Sequence, residues 1–248
     1  MADINHPKTV IVTGAASGIG FACVKGLLDD GHNVCGADLQ SIPTETFHPH
    51  ASRLLAVRAD VANAADCKSA VTQTVERFGA LDGLIHMAAM HSTESWQDLD
   101  AEHFTRVLAV NVTGAFLMAQ AAAERMANGG AIVLTSSNVF VVGGVGGHGR
   151  GGPAYASSKA AIVGLTRVLA RSFAPLGIRV NAVAPGATDT AMTAHYDEDA
   201  RRRVAERTLA GRIGRPEEVA AVARFLISGA ASYMTGDIVH VNGGGSFS

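Results

Sequence analysis

Short apolar runs alternate with amphipathic segments along the whole chain of 248 residues. Runs rich in β-branched residues predict buried strands at 8–12, 33–38, 53–59, 81–87, 131–135, 178–183 and 238–241. Apolar residues at helical spacing predict helices between these strands, at about 21–30, 64–78, 101–126, 153–174 and 216–227. Strands that alternate with helices indicate an α/β fold, with a parallel sheet and helices on both faces.

A glycine-rich turn, Thr13-Gly-Ala-Ala-Ser-Gly-Ile-Gly20, joins the first strand to the first helix. Glycines let the backbone approach phosphate groups, and the first N–H groups of a helix carry positive partial charge. A tight strand-to-helix turn without a ligand is the alternative. We therefore predict a single-domain, Rossmann-type, doubly wound sheet of about seven strands, which binds a dinucleotide through Gly14, Ser17, Gly18, Ile19 and Gly20.

Asp38 ends the second predicted strand, about 20 residues beyond the glycines. A carboxylate at this place can bind the 2′-hydroxyl of a ribose and repel a 2′-phosphate. The alternative role is a simple cap of the following turn. We predict NAD as the cofactor, also because Ala16 and Ser17 offer no basic side chain for NADP.

Tyr155 and Lys159 stand four positions apart, so both lie on one face of the predicted helix. A phenol has a pKa of about 10, and a nearby fixed cation favours its ionised form. On most helices such a pair is simply solvated. The surrounding motifs favour the catalytic interpretation, in which Tyr155 is a general acid and base.

Composition limits the possible partners. The formal net charge of −2 gives no basic field for nucleic acid, and the unbroken apolar runs are far shorter than the ~20 residues that span a membrane. The start of the chain has no signal pattern. The cysteines Cys23, Cys35 and Cys67 form no CxxC pair. We expect reduced thiols, no metal site and a cytoplasmic location.

Two polar segments are expected to form substrate loops or lids of the single domain 1–248, at 138–152 and 188–215. Residues 143–152 contain seven glycines together with His148 and Arg150. The latter two are predicted to contact the substrate with Ser137 and Tyr155, in a pocket that includes His91 and His195. This polarity favours a sugar, polyol or hydroxy acid. A tolerated surface insertion is the alternative for the glycine-rich loop.

The ordered motifs resemble a classical short-chain dehydrogenase/reductase along essentially the whole chain. They are the glycine turn, Asp60-Val61, Asn111, Ser137, Tyr155-x-x-x-Lys159, Asn181, Pro185-Gly186 with Thr190, Arg212-Ile-Gly214 before Pro216-Glu217-Glu218, and Thr235-Gly236. The resemblance implies a seven-stranded sheet and a nicotinamide cofactor. It also implies dimers or tetramers, which form through the helices at 101–126 and 153–174.

The resemblance also implies roles for single residues. Tyr155 would exchange the substrate proton, Lys159 would lower the pKa of that phenol and hold the nicotinamide ribose, and Ser137 would bind the substrate oxygen. Asn111 would kink its helix and hold a water. Asp60 would contact the adenine and Thr190 the carboxamide. The full predicted cofactor set adds to the glycine turn the residues Asp38, Asp60, Val61, Ala88, Tyr155, Lys159, Pro185, Gly186, Thr188 and Thr190.

Three departures from the family pattern stand out. His86-Met87-Ala88-Ala89 replaces the usual Asn-Asn-Ala-Gly, and Val241-Asn242-Gly243-Gly244 replaces Val-Asp-Gly-Gly. His86 is interpreted as structural rather than catalytic. Ser137 and Tyr155 are 18 positions apart, longer than usual, so Ser136 remains an alternative to Ser137.

The predicted function is an NAD-dependent oxidoreductase that interconverts a secondary alcohol and its ketone, with a small polar substrate. Two alternatives remain. The first is a 3-oxoacyl-carrier-type or other carbonyl reductase, against which Asp38 argues because such enzymes mostly use NADP. The second is a catalytically silent homologue that senses the dinucleotide, against which the complete set of Asn111, Ser137, Tyr155 and Lys159 argues.

Overall fold

The computed structural model describes residues 7–126, 129–143, 151–194 and 196–247. Within them, seven parallel strands form one sheet of order β3-β2-β1-β4-β5-β6-β7. This confirms the predicted doubly wound α/β fold. The strands are β1 Thr9–Thr13, β2 Asn33–Asp38, β3 Leu54–Arg58, β4 Gly83–His86, β5 Ala131–Thr135, β6 Arg179–Pro185 and β7 Ile238–Val241.

Helices cover both faces of the sheet. They are α1 Gly18–Asp29, α2 Ala64–Phe78, α3 Ala101–Leu108, α4 Gly114–Ala123, α5 Val139–Val142, α6 Pro153–Phe173, α7 Glu198–Glu206 and α8 Pro216–Ile227. Short 3₁₀ segments lie at Thr44–Arg53, Ala174–Leu176, Ala191–Thr193 and Gly229–Ala231. Neither the first of these nor α5 was among the helices predicted from the sequence.

The strand alternation divides the core into two layers. Ile11 and Leu84 pack with α2, α4 and α6 on one face of the sheet, whereas Val10, Val12 and Ile85 pack with α1 and α8 on the other. Successive strand residues point to opposite faces, so a strand buried on both sides is apolar throughout. This explains the unbroken apolar runs of the sequence.

The predicted single helix at 101–126 is wrong in one respect. A π-helical turn, Ala109–Thr113, separates α3 from α4. The combined run 101–123 is, by length and composition, the one helix in the described chain that could cross a membrane. Half of its most apolar window is buried inside the protein, where α3 packs on α6 and α4 packs on α2. Such burial is usual for a core helix.

The sheet order creates a crevice beside the carboxyl end of β1. The chain leaves β1 towards β2 and β3 on one side, and later continues from β4 towards β7 on the other. Ligands of open parallel sheets bind at such a reversal, outside the carboxyl ends of the strands. The predicted site residues that follow β1, β2, β4, β5 and β6 therefore meet at one edge.

The two predicted lid segments are described only in part. The first begins with α5, but its residues 144–150, with His148 and Arg150, lie outside the described residues, as does His195. The second contains α7, of which no residue is buried. Salt bridges of Arg201 with Asp189 and of Arg202 with Asp199 lie along this helix.

Candidate active site

Two glycines of the turn after β1 are required by close packing. Gly14 has φ +68°, and a Cβ there would lie 2.8 Å from the backbone nitrogen of Ala88 in the loop after β4. A Cβ at Gly20 would clash with the carbonyl oxygen of Gly14. A side chain at Gly14 would push the turn away from the loop after β4, and one at Gly20 would distort the turn itself.

The start of α1 is suited to a phosphate group. Ser17 is its N-cap residue, and the Ser17 side chain makes no capping hydrogen bond. No acidic side chain occupies the first turn, which includes Gly18, Ile19 and Gly20. The first N–H groups of a helix lack partners within the helix and attract anions. The fit of a pyrophosphate here depends on these groups and on the glycines that leave room for it.

The Asp38 carboxylate stands over the glycine turn. Oδ2 accepts a hydrogen bond from the backbone N–H of Ala16 at 3.0 Å, and Oδ1 accepts one from Gln40 at 2.9 Å. Asp38 does cap its own turn, as the alternative interpretation held, but it also touches the phosphate-binding turn. A carboxylate has about four acceptor positions, so both oxygens can also accept ribose hydroxyls.

Asp60 and Val61 lie beyond the carboxyl end of β3, next to the end of β2. Asp60 Oδ1 accepts the backbone N–H of Ala62 at 2.9 Å, and the Asp60 N–H donates to Asp66 in α2 at 2.9 Å. Val61 packs on α4, where a Cβ at Gly114 would lie 2.9 Å from Val61 Cγ2. These contacts fix the segment beside Asp38.

His86 joins β4 to β1. Its Nδ1 lies 3.0 Å from Thr13 Oγ1, which also accepts the backbone N–H of Ala88 at 3.1 Å. Burial, and then the charge of Lys159, lower the pKa of His86 to about 3, so this imidazole is neutral. Met87 Sδ accepts the Thr135 hydroxyl at 2.8 Å. The unusual residues of this loop thus join three neighbouring strands, in agreement with the structural interpretation of His86.

Asn111 lies in the π-helical turn and is fully buried. Its Oδ1 accepts the Met90 N–H at 2.7 Å, and its Nδ2 donates to the Met90 carbonyl at 3.0 Å and to Ser158 Oγ at 2.9 Å. Ser158 Oγ in turn donates to the Tyr155 carbonyl at 2.7 Å. The amide therefore ties the loop after β4 to the helix that carries Tyr155. A π-helical turn contains one extra residue and is frequent at functional sites.

The structure distinguishes between the two candidate serines. Ser136 is buried, and its hydroxyl donates to the backbone carbonyl of Lys159 at 2.8 Å, which is a structural contact. Ser137 is half-buried, and its hydroxyl hydrogen-bonds the Tyr155 phenol. Of the two, Ser137 is the one placed beside the reactive group.

Tyr155 and Lys159 share one face of α6, with the Lys159 Nζ 5.6 Å from the centre of the Tyr155 ring. Burial raises the pKa of Tyr155 to about 12, although the Ser137 hydrogen bond lowers it and the nearby Tyr196 raises it further. The lowering of this pKa by Lys159 together with a bound cationic cofactor stays a prediction. The spacing correctly placed the cation near the phenol, but the removal of water has the larger effect.

Lys159 is almost completely buried, and its Nζ donates to the Thr135 carbonyl at 2.9 Å. Burial lowers the pKa of Lys159 to about 8. Near neutral pH, a lysine with this pKa keeps its proton in most molecules of the protein. Burial therefore keeps the Tyr155 phenol neutral, whereas the Lys159 ammonium stays mostly charged near neutral pH and loses its proton above about pH 8.

The loop after β6 closes the other side of the crevice. Pro185 accepts a backbone hydrogen bond from Asn138, at the end of the β5 loop, at 2.9 Å, and Gly186 N–H donates to Val241 in β7 at 3.0 Å. Thr188 is buried. The Thr190 Cγ2 lies near Gly18, only 3.2 Å from where a Cβ would stand. The loop after β6 and the glycine turn before α1 therefore bound the crevice from opposite sides.

The side chain of Asn181 has a structural role. Its Nδ2 donates to the Met234 carbonyl at 2.8 Å, and its Oδ1 accepts the Asp237 N–H at 3.1 Å. These bonds hold the turn that leads into β7. Arg212 likewise forms two hydrogen bonds with the Glu218 carboxylate, at 2.8 and 2.6 Å, in front of α8.

Sequence reasoning missed three residues of the site. Ser158 bridges Asn111 and Tyr155, Thr135 accepts Lys159 through its carbonyl, and Tyr196 lies close enough to Tyr155 to act on its pKa. Ser158 could have been found, because it lies three positions after Tyr155 on the same helical face. The other two depend on contacts between distant segments, for which the sequence carries no local signal.

The glycine turn, the switch point of the sheet and the buried Tyr155–Lys159 pair together define a dinucleotide-dependent oxidoreductase. A sequence model described as Enoyl-(Acyl carrier protein) reductase matches residues 14–246. The 3alpha-hydroxysteroid dehydrogenase of Mediterraneibacter gnavus is 36% identical, with 95% of this chain and 96% of that protein covered. The 2,5-dichloro-2,5-cyclohexadiene-1,4-diol dehydrogenase of Sphingobium indicum is 39% identical, with 98% of both covered.

A solved short-chain dehydrogenase/reductase from Serratia marcescens superposes with a TM-score of 0.88 at 34% identity, over 99% of this chain and 100% of that one. The chain belongs to the short-chain dehydrogenase/reductase family. It is an oxidoreductase of the alcohol/ketone type that uses a nicotinamide dinucleotide.

The buried lysine gives a prediction about stability and pH. Between pH 8 and 10, the folded protein has lost the Lys159 proton while an unfolded lysine, with a pKa of 10.5, still holds it. The unfolded state then binds more protons, so stability rises with pH. We expect the free energy of unfolding of the cofactor-free wild type to gain about 1.4 kcal/mol per pH unit relative to Lys159→Met.

Urea unfolding of both proteins across this pH range measures the difference. The exposed Lys25, changed to Met, is the matched control and should run parallel to the wild type. Parallel curves for wild type and Lys159→Met would show that the lysine does not lose its proton on folding.

Proposed function

We propose that the protein is an NAD-dependent dehydrogenase that interconverts a small polar secondary alcohol and its ketone. The observation that carries the proposal is the convergence of Asn111, Ser137, Tyr155 and Lys159 at the carboxyl edge of the sheet. One connected set of contacts orients them, because Asn111 reaches Tyr155 through Ser158 and Ser137 contacts the phenol.

The cofactor would lie across the crevice. Its pyrophosphate would meet the N–H groups at the start of α1, and Asp38 would bind the adenosine ribose. Asp60 and Val61 would flank the adenine, while Ala88, Pro185, Gly186, Thr188 and Thr190 would enclose the remainder. Asp38 favours NAD, because a 2′-phosphate would bring negative charge against a carboxylate that two backbone N–H groups already hold in place.

A nicotinamide held in this crevice would supply the hydride chemistry at the carbinol carbon. Tyr155 removes the hydroxyl proton during oxidation and donates one during reduction. A pKa of about 12 keeps the phenol protonated, which suits donation to a ketone. Ser137 holds the substrate oxygen beside it, and Lys159 supplies the nearest fixed positive charge. Exclusion of water strengthens both interactions.

Two wider features belong to the same proposal. The exposed Phe116 on α4 and Val168 on α6 lie on the helices expected to form a homodimer or homotetramer. The low net charge fits a cytoplasmic enzyme with no nucleic-acid or membrane partner. Contacts of His148 and Arg150 with the substrate stay a prediction. A 3-oxoacyl-carrier reductase is the second candidate, favoured by the similarity to a 3-oxoacyl-[acyl-carrier-protein] reductase of Thermotoga maritima, which is 36% identical over 96% of this chain.

A screen of substrates tests the function directly. We expect the purified protein to form NADH with one or more members of a panel of sugars, polyols, hydroxy acids and cyclic alcohols. Turnover of a 3-oxoacyl thioester with NADPH, and none with NAD and the panel, would favour the second candidate. Tight NAD binding without any turnover would indicate a silent homologue.

The proton-transfer role of Tyr155 is tested by Tyr155→Phe. We expect the fold and NAD affinity to remain and kcat to fall at least ~10²-fold, the usual effect of losing a general acid and base. Tyr233→Phe, at a fully exposed position, is the matched control and should keep its kcat. Lys159→Ala should weaken NAD binding in addition. Near-normal turnover by Tyr155→Phe would mean that another group transfers the proton.

Cofactor choice is tested by Asp38→Ala. The wild type should prefer NAD, and the variant should lower the ratio of kcat/KM for NAD to that for NADP by roughly 10-fold or more, since a charge-assisted hydrogen bond and a repulsion are both lost. Asp29→Ala, at the other end of α1, is the control and should leave the ratio unchanged. A wild type that already prefers NADP would refute the assignment.

A further inference from the structure

The imidazole of His91 lies edge-on to the ring of Tyr155. The two ring centres are 4.8 Å apart, and the ring planes meet at 86°. His91 is half-buried, so its side chain borders the site and is not part of the core. None of the family motifs in this chain includes this position, and the four proposed catalytic residues do not include it.

The backbone on both sides of His91 is held in place. Met90 gives its N–H and its carbonyl to the Asn111 amide, at 2.7 and 3.0 Å. The carbonyl of the buried Ser92 accepts the N–H of Gly152, the residue before α6, at 2.8 Å. The same helix that carries Tyr155 therefore also anchors the loop that carries His91. A side chain supported in this way keeps a fixed position relative to the reacting group.

The chemistry of an imidazole limits what it can recognise. A neutral imidazole offers one donor and one acceptor nitrogen, and a hydroxyl group also donates and accepts. Tyr155 and Ser137 are committed to the oxygen that reacts. The His91 ring packs against the Tyr155 ring, so a substrate group that binds His91 would lie near that oxygen. On the substrate, the carbon next to the carbinol carbon is the position from which a hydroxyl group lies near the reacting oxygen.

We propose that His91 binds a second hydroxyl on the carbon next to the carbinol, so that the enzyme selects 1,2-diols over simple secondary alcohols. This inference rests on the proposed dehydrogenase function and adds the substrate class to it. The competing role is packing alone, in which the edge-to-face contact orients Tyr155 and is worth about 0.5–1.5 kcal/mol for every substrate.

The test compares cis-1,2-cyclohexanediol with cyclohexanol, which has the same ring but one hydroxyl. We expect wild-type kcat/KM to be higher for the diol. His91→Phe keeps an aromatic edge against Tyr155 and removes both nitrogens, so the ratio of kcat/KM for diol to that for cyclohexanol should fall about 10-fold or more. His91→Asn keeps a donor and an acceptor and should retain part of the ratio.

His103→Phe is the matched control. His103 lies on α3 and contacts Glu94 rather than Tyr155, so this variant should keep the wild-type ratio. Equal losses for both substrates in His91→Phe would assign His91 to packing and overturn the proposal, while the dehydrogenase function would stand. A wild type that oxidises cyclohexanol as well as the diol would also overturn it. Absence of turnover of any secondary alcohol would refute the proposed function and this inference with it.

Discussion

The geometry of the site depends on one buried amide. Asn111 has its side chain committed to the peptide of Met90 and to Ser158, which in turn holds the carbonyl of Tyr155. The π-helical turn gives this amide a position that a regular helix would not. An unpaired amide in such a buried place would cost about 1–3 kcal/mol. The hydrogen bonds of Asn111 therefore hold together the loop after β4, the π-helical turn and α6, and the geometry of the site depends on them.

Burial then determines the electrostatics of the reactive pair. Removal of water raises the pKa of Tyr155 and lowers that of Lys159, which brings both groups towards their neutral forms. Each change in pKa is a measure of how poorly the site solvates charge. The site is thus a low-dielectric environment, in which one added positive charge has a large effect on the pKa of the phenol.

The fold could be predicted closely because its signals are local. The bounds of β2, α2, β5, α8 and β7 agree with those expected from apolar periodicity and from the Gly and Pro residues that end or begin them. The π-helical turn was missed, because one inserted residue hardly disturbs a 3.6-residue pattern. The spacing of Tyr155 and Lys159 gave their proximity but not their pKa directions. Those directions depend on how completely the folded protein removes water from both side chains, which no local pattern of residues shows.

The bonds around β7 have a consequence for how the chain acquires its activity during synthesis. Gly186, in the loop after β6, donates its N–H to Val241, and Asn181 holds the turn before that strand. The wall of the site is therefore completed by residues that are synthesised after the other six strands. Long-range parallel pairings are slow to form. A nascent chain that has folded its first four strands is expected to have the phosphate-binding turn, yet no finished pocket, until residues 238–241 emerge.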